Sequence, residues 1–233
     1  AEDEPILEPG PGETPLWREL SANALFEAGA DRRGITAVLQ ELVPWLDHAR
    51  LVFREVADAD WSRAWLDQYK PMRFGRRLWI YPSTIEPAQD ADTVVVRLDP
   101  GLAFGTGTHP TTALCLAWLD GLDLAGASVL DYGCGSGVLA IAALKLGATR
   151  AVGVDNDPQA LQASRDNAGR NGVSGSLTLL APDAGGIGVH PVVVANILAG
   201  ALVALETTLA AACARGGRIA LSGILRGQAG EVL

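Results

Sequence analysis

Val129-Leu130-Asp131-Tyr132-Gly133-Cys134-Gly135-Ser136-Gly137-Val138-Leu139 is an apolar run, a loop with glycine at every second position, and a second apolar run. The first run reads as a strand, the glycines as a tight turn, and Val138 as the start of a helix. Glycines at 133, 135 and 137 let the backbone turn sharply and approach a ligand with no Cβ between. The helix start beyond them supplies unpaired N–H groups. A loop of this kind serves many nucleotide-binding proteins, and two features narrow the choice. Its spacing is Gly-x-Gly-x-Gly after Asp131, not the Gly-x-Gly-x-x-Gly of dinucleotide sites, and no Walker lysine follows. The next strand, Val152-Gly153-Val154-Asp155, ends in a carboxylate placed to accept hydrogen bonds from both hydroxyls of an adenosine ribose. S-adenosylmethionine carries an adenosine but no pyrophosphate, and its sulfonium and ammonium charges suit a nearby acid such as Asp131. Gly133, Gly135, Asp131 and Asp155 are therefore read as cofactor-binding, and the pair of acids favours a methyltransferase over a nicotinamide-dependent oxidoreductase.

Outward from this loop, apolar strands alternate with helices. Strands are expected at Ser128–Asp131, Ala151–Asp155, Leu177–Leu180, Val192–Ala195 and Arg218–Ser222. Helices are expected at Thr111–Leu119, Val138–Leu146, Pro158–Arg170 and Leu198–Ala214, with Gly172 and Gly216 stopping the last two. Strands apolar throughout and separated by helices imply a parallel sheet covered on both faces, an α/β Rossmann-like doubly wound fold. Leu78–Tyr81 and Thr93–Leu98 also read as strands, with Pro82 and Pro87 between them.

Upstream the texture differs. The first residues are rich in Pro, Gly and Glu and read as an irregular arm. A strand is expected at Ala24–Glu27, a helix over Arg33–Val43 capped by Asp31 and ended by Pro44, and a strand over Arg50–Val56. Asp58–Tyr69 reads as a connecting helix whose face carries Trp61, Trp65 and Leu66. The expected domains are a small α+β substrate-recognition unit over residues 1–57, a linker helix over 58–70, and a cofactor-binding catalytic domain over 71–233.

The chain has 233 residues, 48% of them hydrophobic, and a mean hydropathy of +0.20, enough for a sizeable core. No apolar run reaches the roughly 18 uncharged residues a membrane span needs, and the acidic start lacks the basic and apolar regions of a signal peptide. Cys115, Cys134 and Cys213 are scattered, odd in number and without metal-like spacing, so neither a disulfide framework nor a metal site is expected, and the compartment reads as cytoplasmic. The net charge of −9 repels nucleic acid, so no direct nucleic-acid binding is expected, and favours a basic partner. A monomer is the default.

Further stretches carry a resemblance. Pro71-Met72-Arg73-Phe74-Gly75, the block Leu98-Asp99-Pro100-Gly101-Leu102-Ala103-Phe104-Gly105-Thr106-Gly107-Thr108-His109-Pro110-Thr111-Thr112, the glycine loop, and Val194-Ala195-Asn196-Ile197-Leu198-Ala199 together resemble the ribosomal protein L-eleven methyltransferases, a class I family. The match runs over nearly the whole chain, and it implies cofactor contacts from Thr112, Gly133, Asp155 and Asn196. It also implies a basic large-subunit ribosomal protein as substrate, methylated on lysine ε-amines and the N-terminal α-amine. Relative to that family the small domain lacks an opening strand and helix, and the catalytic domain lacks its last strands. Ala201 stands where the family often has proline.

The chemistry adds roles of its own. A lysine of reference pKa about 10.4 costs roughly 4 kcal/mol to deprotonate near neutral pH, and burial lowers that cost. Asn196, at the carboxyl edge of the expected sheet, can orient the amine through its amide oxygen; a turn or helix-capping role is the alternative. Phe104 and Thr108 lie in a Gly-rich loop able to fold over the cofactor, with Phe104 sealing the pocket. His109 is read as structural or hydrogen-bonding because Pro110 and a helix follow, and Cys134 as a small buried filler. A small-molecule amine in place of the protein substrate is the competing reading within the enzyme class.

Overall fold

The computed structural model describes residues 22–55, 70–87, 92–99 and 109–232. The chain divides into two units, Ala1–Asp58 and Ala59–Leu233.

In the first unit, helix α1 spans Arg32–Leu42 and Asp31 caps it by accepting from the Arg33 N–H at 3.0 Å. It ends where expected, because Pro44 has no N–H to continue the ladder. Neither strand expected here forms. Residues 22–27 and 51–55 carry no ladder pairing, and Arg50 closes a short 3₁₀ turn over His48–Arg50. A strand exists only by exchanging hydrogen bonds with a neighbour. β-branched and aromatic content alone does not supply one. Arg32 instead ties the segment down, pairing with Glu55 at 2.9 Å and lying 5.9 Å from the Phe53 ring. The expected linker helix, with Trp61, Trp65 and Leu66, lies outside the described residues except for Lys70, which is not helical.

The second unit contains two sheets. β1 (Met72–Phe74) pairs antiparallel with β2 (Leu78–Tyr81), which pairs in parallel with β3 (Val94–Arg97). β1 has three residues, too few to show a period in sequence. The larger sheet contains β4 (Ser128–Tyr132), β5 (Arg150–Val154), β6 (Leu177–Leu180), β7 (His190–Asn196) and β8 (Cys213–Ser222). All its neighbours are parallel, in the order β6-β5-β4-β7-β8. Among the described residues its helices are α2 (Pro110–Asp120), α3 (Val138–Lys145), α4 (Pro158–Arg170), α5 (Ala199–Ala204), α6 (Glu206–Ala212) and α7 (Ala229–Val232).

Two expectations at the end of this unit are corrected. The helix expected over Leu198–Ala214 is broken at Leu205, which leaves helical geometry (φ −100, ψ 5) between α5 and α6. Gly216 does not stop it. The helix ends at Ala212, Cys213 turns extended to pair with His190, and Gly216 lies in an irregular stretch of β8 before Arg218 resumes the ladder opposite Val192. A helical period cannot report the point at which a neighbouring strand recruits the chain.

The core follows from residues apolar on every side. Val138 through Leu144 are all buried, because α3 contacts α2, β3, β4 and β5. Leu130, Val152, Val154, Val193 and Ala195 fill the centre of the sheet. α2 joins the two sheets through Asp120, whose side chain is 1% exposed. That carboxylate accepts from the backbone N–H groups of Arg76 and Arg77 and lies 3.4 Å from the Arg77 Nε. Gly75 turns through φ +66 beside it, where a Cβ would lie 2.5 Å from the carboxylate. The tight β1–β2 turn is thus clamped to the end of α2.

Candidate active site

From central β4 the chain winds outward through β5 and β6, then returns to build β7 and β8 on the other side. Where the order reverses, the connections after β4 and β7 leave in opposite directions and open a crevice beyond the carboxyl ends of the strands. Asp131 lies one residue from the end of β4, the glycine loop follows β4, Asp155 follows β5, and Asn196 ends β7. Thr112 reaches the same place from the first turn of α2.

The loop is built for close approach. Gly133 sits at φ +77, a region a side chain disfavours, and a Cβ there would stand 2.2 Å from Ile197 Cγ2. Its N–H and that of Cys134 both donate to the Val154 carbonyl, at 2.7 and 3.0 Å, which holds the loop against the end of β5. From α4, Ser164 donates to the Gly135 carbonyl and Asn167 to the Ser136 carbonyl, each at 2.8 Å. These two residues were not singled out from the sequence. The signal was there: with Ala160 and Ala168 they occupy one helical face, and all four are buried. Polar side chains at inward positions need partners, and the loop carbonyls are those partners.

Asp155 is half-buried and doubly engaged. Oδ2 accepts from the Gly135 N–H at 2.8 Å and Oδ1 from the Asp157 N–H at 3.0 Å. It therefore serves the turn before α4, yet each carboxylate oxygen keeps a further lone pair for a ligand hydroxyl. Asp131 is fully buried. Its Oδ2 accepts from the Ala140 N–H at 3.0 Å, capping the first turn of α3, and its Oδ1 has no partner among the described residues. Burial pushes its carboxyl up to about 7, with the charge of Asp155 adding to the rise and the Ala140 bond opposing it. A buried acceptor left unmatched favours a donor or a positive charge at that point. The Asp155 lone pairs and the unmatched Asp131 oxygen fit the ribose and ammonium ends of S-adenosylmethionine.

Asn196 is no helix cap, since the residue preceding α5 is Leu198. Its Nδ2 donates to Thr112 Oγ1 at 3.1 Å, and Thr112 is 1% exposed. The first turn of α2 is also held by Ser222, whose hydroxyl donates to the Thr111 carbonyl at 3.3 Å. His109 caps that helix through Nδ1, which accepts from the Thr111 N–H at 3.3 Å and lies 2.6 Å from Thr111 Oγ1. Cys134 is buried 3.6 Å from the Ser164 hydroxyl, and burial raises its thiol pKa, the opposite of what a nucleophile needs. Phe104 and Thr108 lie outside the described residues.

A parallel sheet of this order, with a glycine loop after its first strand and an acid after its second, defines an S-adenosylmethionine-dependent methyltransferase of class I. Residues 1–233 match the family described as ribosomal protein L11 methyltransferase (PrmA). A Stenotrophomonas maltophilia protein of that name is 58% identical over 238 residues, covering 99% of this chain and 78% of its own length. One from Xanthomonas axonopodis pv. citri is 58% identical over 235 residues, covering 98% of this chain and 77% of its own. A crystal structure of ribosomal protein L11 methylase from Lactobacillus delbrueckii subsp. bulgaricus superposes with a TM-score of 0.61 at 33% identity, over 70% of this chain and 84% of that one. The chain belongs to the ribosomal protein L11 methyltransferase family. Among the described residues no helix is long and apolar enough to cross a membrane.

Proposed function

We propose that this protein transfers methyl groups from S-adenosylmethionine to amines of ribosomal protein L11, the lysine ε-amines and the N-terminal α-amine. The bound cofactor supplies an electrophilic methyl on a positively charged sulfur. The protein's own residues bind, orient and exclude water. Gly133 and Gly135 offer a bare backbone, Asp155 takes the ribose hydroxyls, and Asp131 presents its free oxygen to positive charge.

The observation that carries this reading is the amide of Asn196. One N–H of its NH₂ is committed to Thr112, and its amide oxygen keeps lone pairs with which to accept from an incoming group. A carbonyl oxygen accepts from a neutral amine without having to act as a strong base. Deprotonating a lysine costs about 4 kcal/mol near neutral pH, a cost lowered in a desolvated pocket. Once the amine is neutral, alignment with the methyl supplies most of the acceleration.

A protein substrate gives the first unit a purpose as the recognition domain, and a chain of net charge −9 attracts a basic partner. The protein acts in this reading as a monomer in the cytoplasm. The test is incubation with methyl-labelled S-adenosylmethionine and unmethylated L11, followed by intact-protein mass spectrometry. Mass gains in single-methyl steps, absent in Asp155→Ala, are expected. Cofactor binding with no transfer to L11 points instead to a small-molecule acceptor, and neither binding nor transfer rejects the reading.

A further inference from the structure

The stretch Gln68–Ile85 contains Lys70, Arg73, Arg76 and Arg77 and no acid, a local charge of +4 that leaves −13 for the rest of a chain whose total is −9. Part of this stretch lines a groove on the outer face of the three-stranded sheet, with a volume of about 770 Å³. Arg73, Arg76, Arg77, Trp79, Tyr81 and Asp92 line it. None of the residues named for methyl transfer lines it.

The groove is prebuilt. Arg73 and Trp79 are opposite one another across the β1–β2 pair, and the Arg73 guanidinium lies 6.0 Å from the indole centre. Its Nε donates to the Arg76 carbonyl at 3.2 Å and its Nη2 donates to the same oxygen, so the guanidinium plane is held in place. Asp120 clamps the turn carrying Arg76 and Arg77 from behind. Trp79 and Tyr81 point to the same face, 5.9 Å apart and tilted by 46°. Neither Arg73 nor Arg76 pairs with a carboxylate among the described residues. The reverse face of the same strands carries Phe74, Leu78 and Ile80, which pack into the core, so Arg73 and Trp79 are not what holds the sheet there, while Tyr81 is buried on the groove side.

We propose that this groove binds a nucleotide, with phosphate on the arginines and a base against the Trp79–Arg73 stack. Guanidinium forks match phosphate oxygens, and a base stacks both on an indole and on a guanidinium plane. An acidic peptide would use the arginines but leave the aromatic platform without a role. The overall negative charge opposes nucleic acid at long range, but within a Debye length of about 8 Å the arginines set the local potential. The nucleotide is either free or part of a single-stranded RNA, and the two sources share this chemistry.

The experiment uses the full chain saturated with S-adenosylhomocysteine, so that the adenosine site is filled. A fluorescein-labelled oligouridine of about eight nucleotides is titrated by anisotropy from low to physiological salt. Binding is expected. Arg73→Ala with Arg76→Ala weakens it more than tenfold and flattens the log–log salt slope by about 1.4, some 0.7 for each phosphate that no longer meets an arginine. Trp79→Leu weakens it about tenfold with the slope unchanged, as a stacking loss does. Displacement by UTP assigns the groove to free nucleotides; displacement by unlabelled RNA but not by UTP assigns it to a strand. No binding, binding indifferent to these variants, or equal displacement by polyglutamate overturns the proposal. Methyl transfer and the circular dichroism spectrum stay unchanged in both variants, which separates lost binding from lost folding.

Discussion

Asn196 on β7 and Thr112 on α2, 84 positions apart in the chain, are joined by a hydrogen bond of 3.1 Å from the asparagine amide to the threonine hydroxyl. The bond anchors the Asn196 side chain to the first turn of α2, and with the NH₂ as donor the amide oxygen is left to accept. Thr112→Val removes the acceptor while keeping the shape. About 1–1.5 kcal/mol of orienting energy is lost, so kcat should fall roughly tenfold. Thr112→Ser restores the hydroxyl and should recover most of it. Steady-state kinetics on L11 with both variants checks this; an equal loss in the valine and serine variants would count against an orienting role.

Asp155→Ala removes a carboxylate that also holds Gly135 and Asp157. Cofactor affinity should drop by about 1–3 kcal/mol, or roughly 5- to 150-fold, measured by calorimetry. Asp155→Asn keeps acceptor capacity in one oxygen and should lie between.

The buried acid at 131 makes a pH prediction with a definite sign. A carboxyl raised from 3.8 to about 7 binds its proton more tightly in the folded state, so the folded chain holds more protons than the unfolded one between those values. Stability of the cofactor-free protein should therefore decline as pH rises through that window and level off above it. Asp131→Asn should remove this decline, read as denaturant midpoints at several pH values. A cation next to Asp131 favours the ionised form, so S-adenosylmethionine affinity should rise as pH passes through about 7. Calorimetry in buffers of different ionisation enthalpy should show proton release on binding.

Gly133→Ala combines a positive φ of +77 with a Cβ 2.2 Å from Ile197 Cγ2. Backbone strain of this kind amounts to about 1–3 kcal/mol, and the contact adds to it. The variant should melt lower and lose cofactor binding. Ile197→Ala removes the offending methyl but not the backbone strain, so the double variant should recover part of the stability lost, as differential scanning calorimetry would show.

What was legible in sequence is what short-range physics writes there. Gly133, Gly135 and Gly137 announce a tight turn, Asp31 and His109 sit where helix N–H groups need acceptors, and Pro44 removes a donor. The alternation of apolar strands with helices implies the parallel sheet, and Asp131 and Asp155 stand at its carboxyl edge because each ends an apolar run. Only the tertiary structure decided what pairs with what. Ala24–Glu27 and residues 51–55 have strand-like composition but no ladder partner, and Cys213 leaves its helix because His190 is available to it. The bond between Asn196 and Thr112, the grip of Ser164 and Asn167 on the loop, and the clamp of Asp120 on Arg76 and Arg77 all span elements distant in sequence. Helix caps, turns and periodicity are settled within a few residues of chain. Side-chain partners are settled by which elements the strand order brings together, and that is a property of the whole fold.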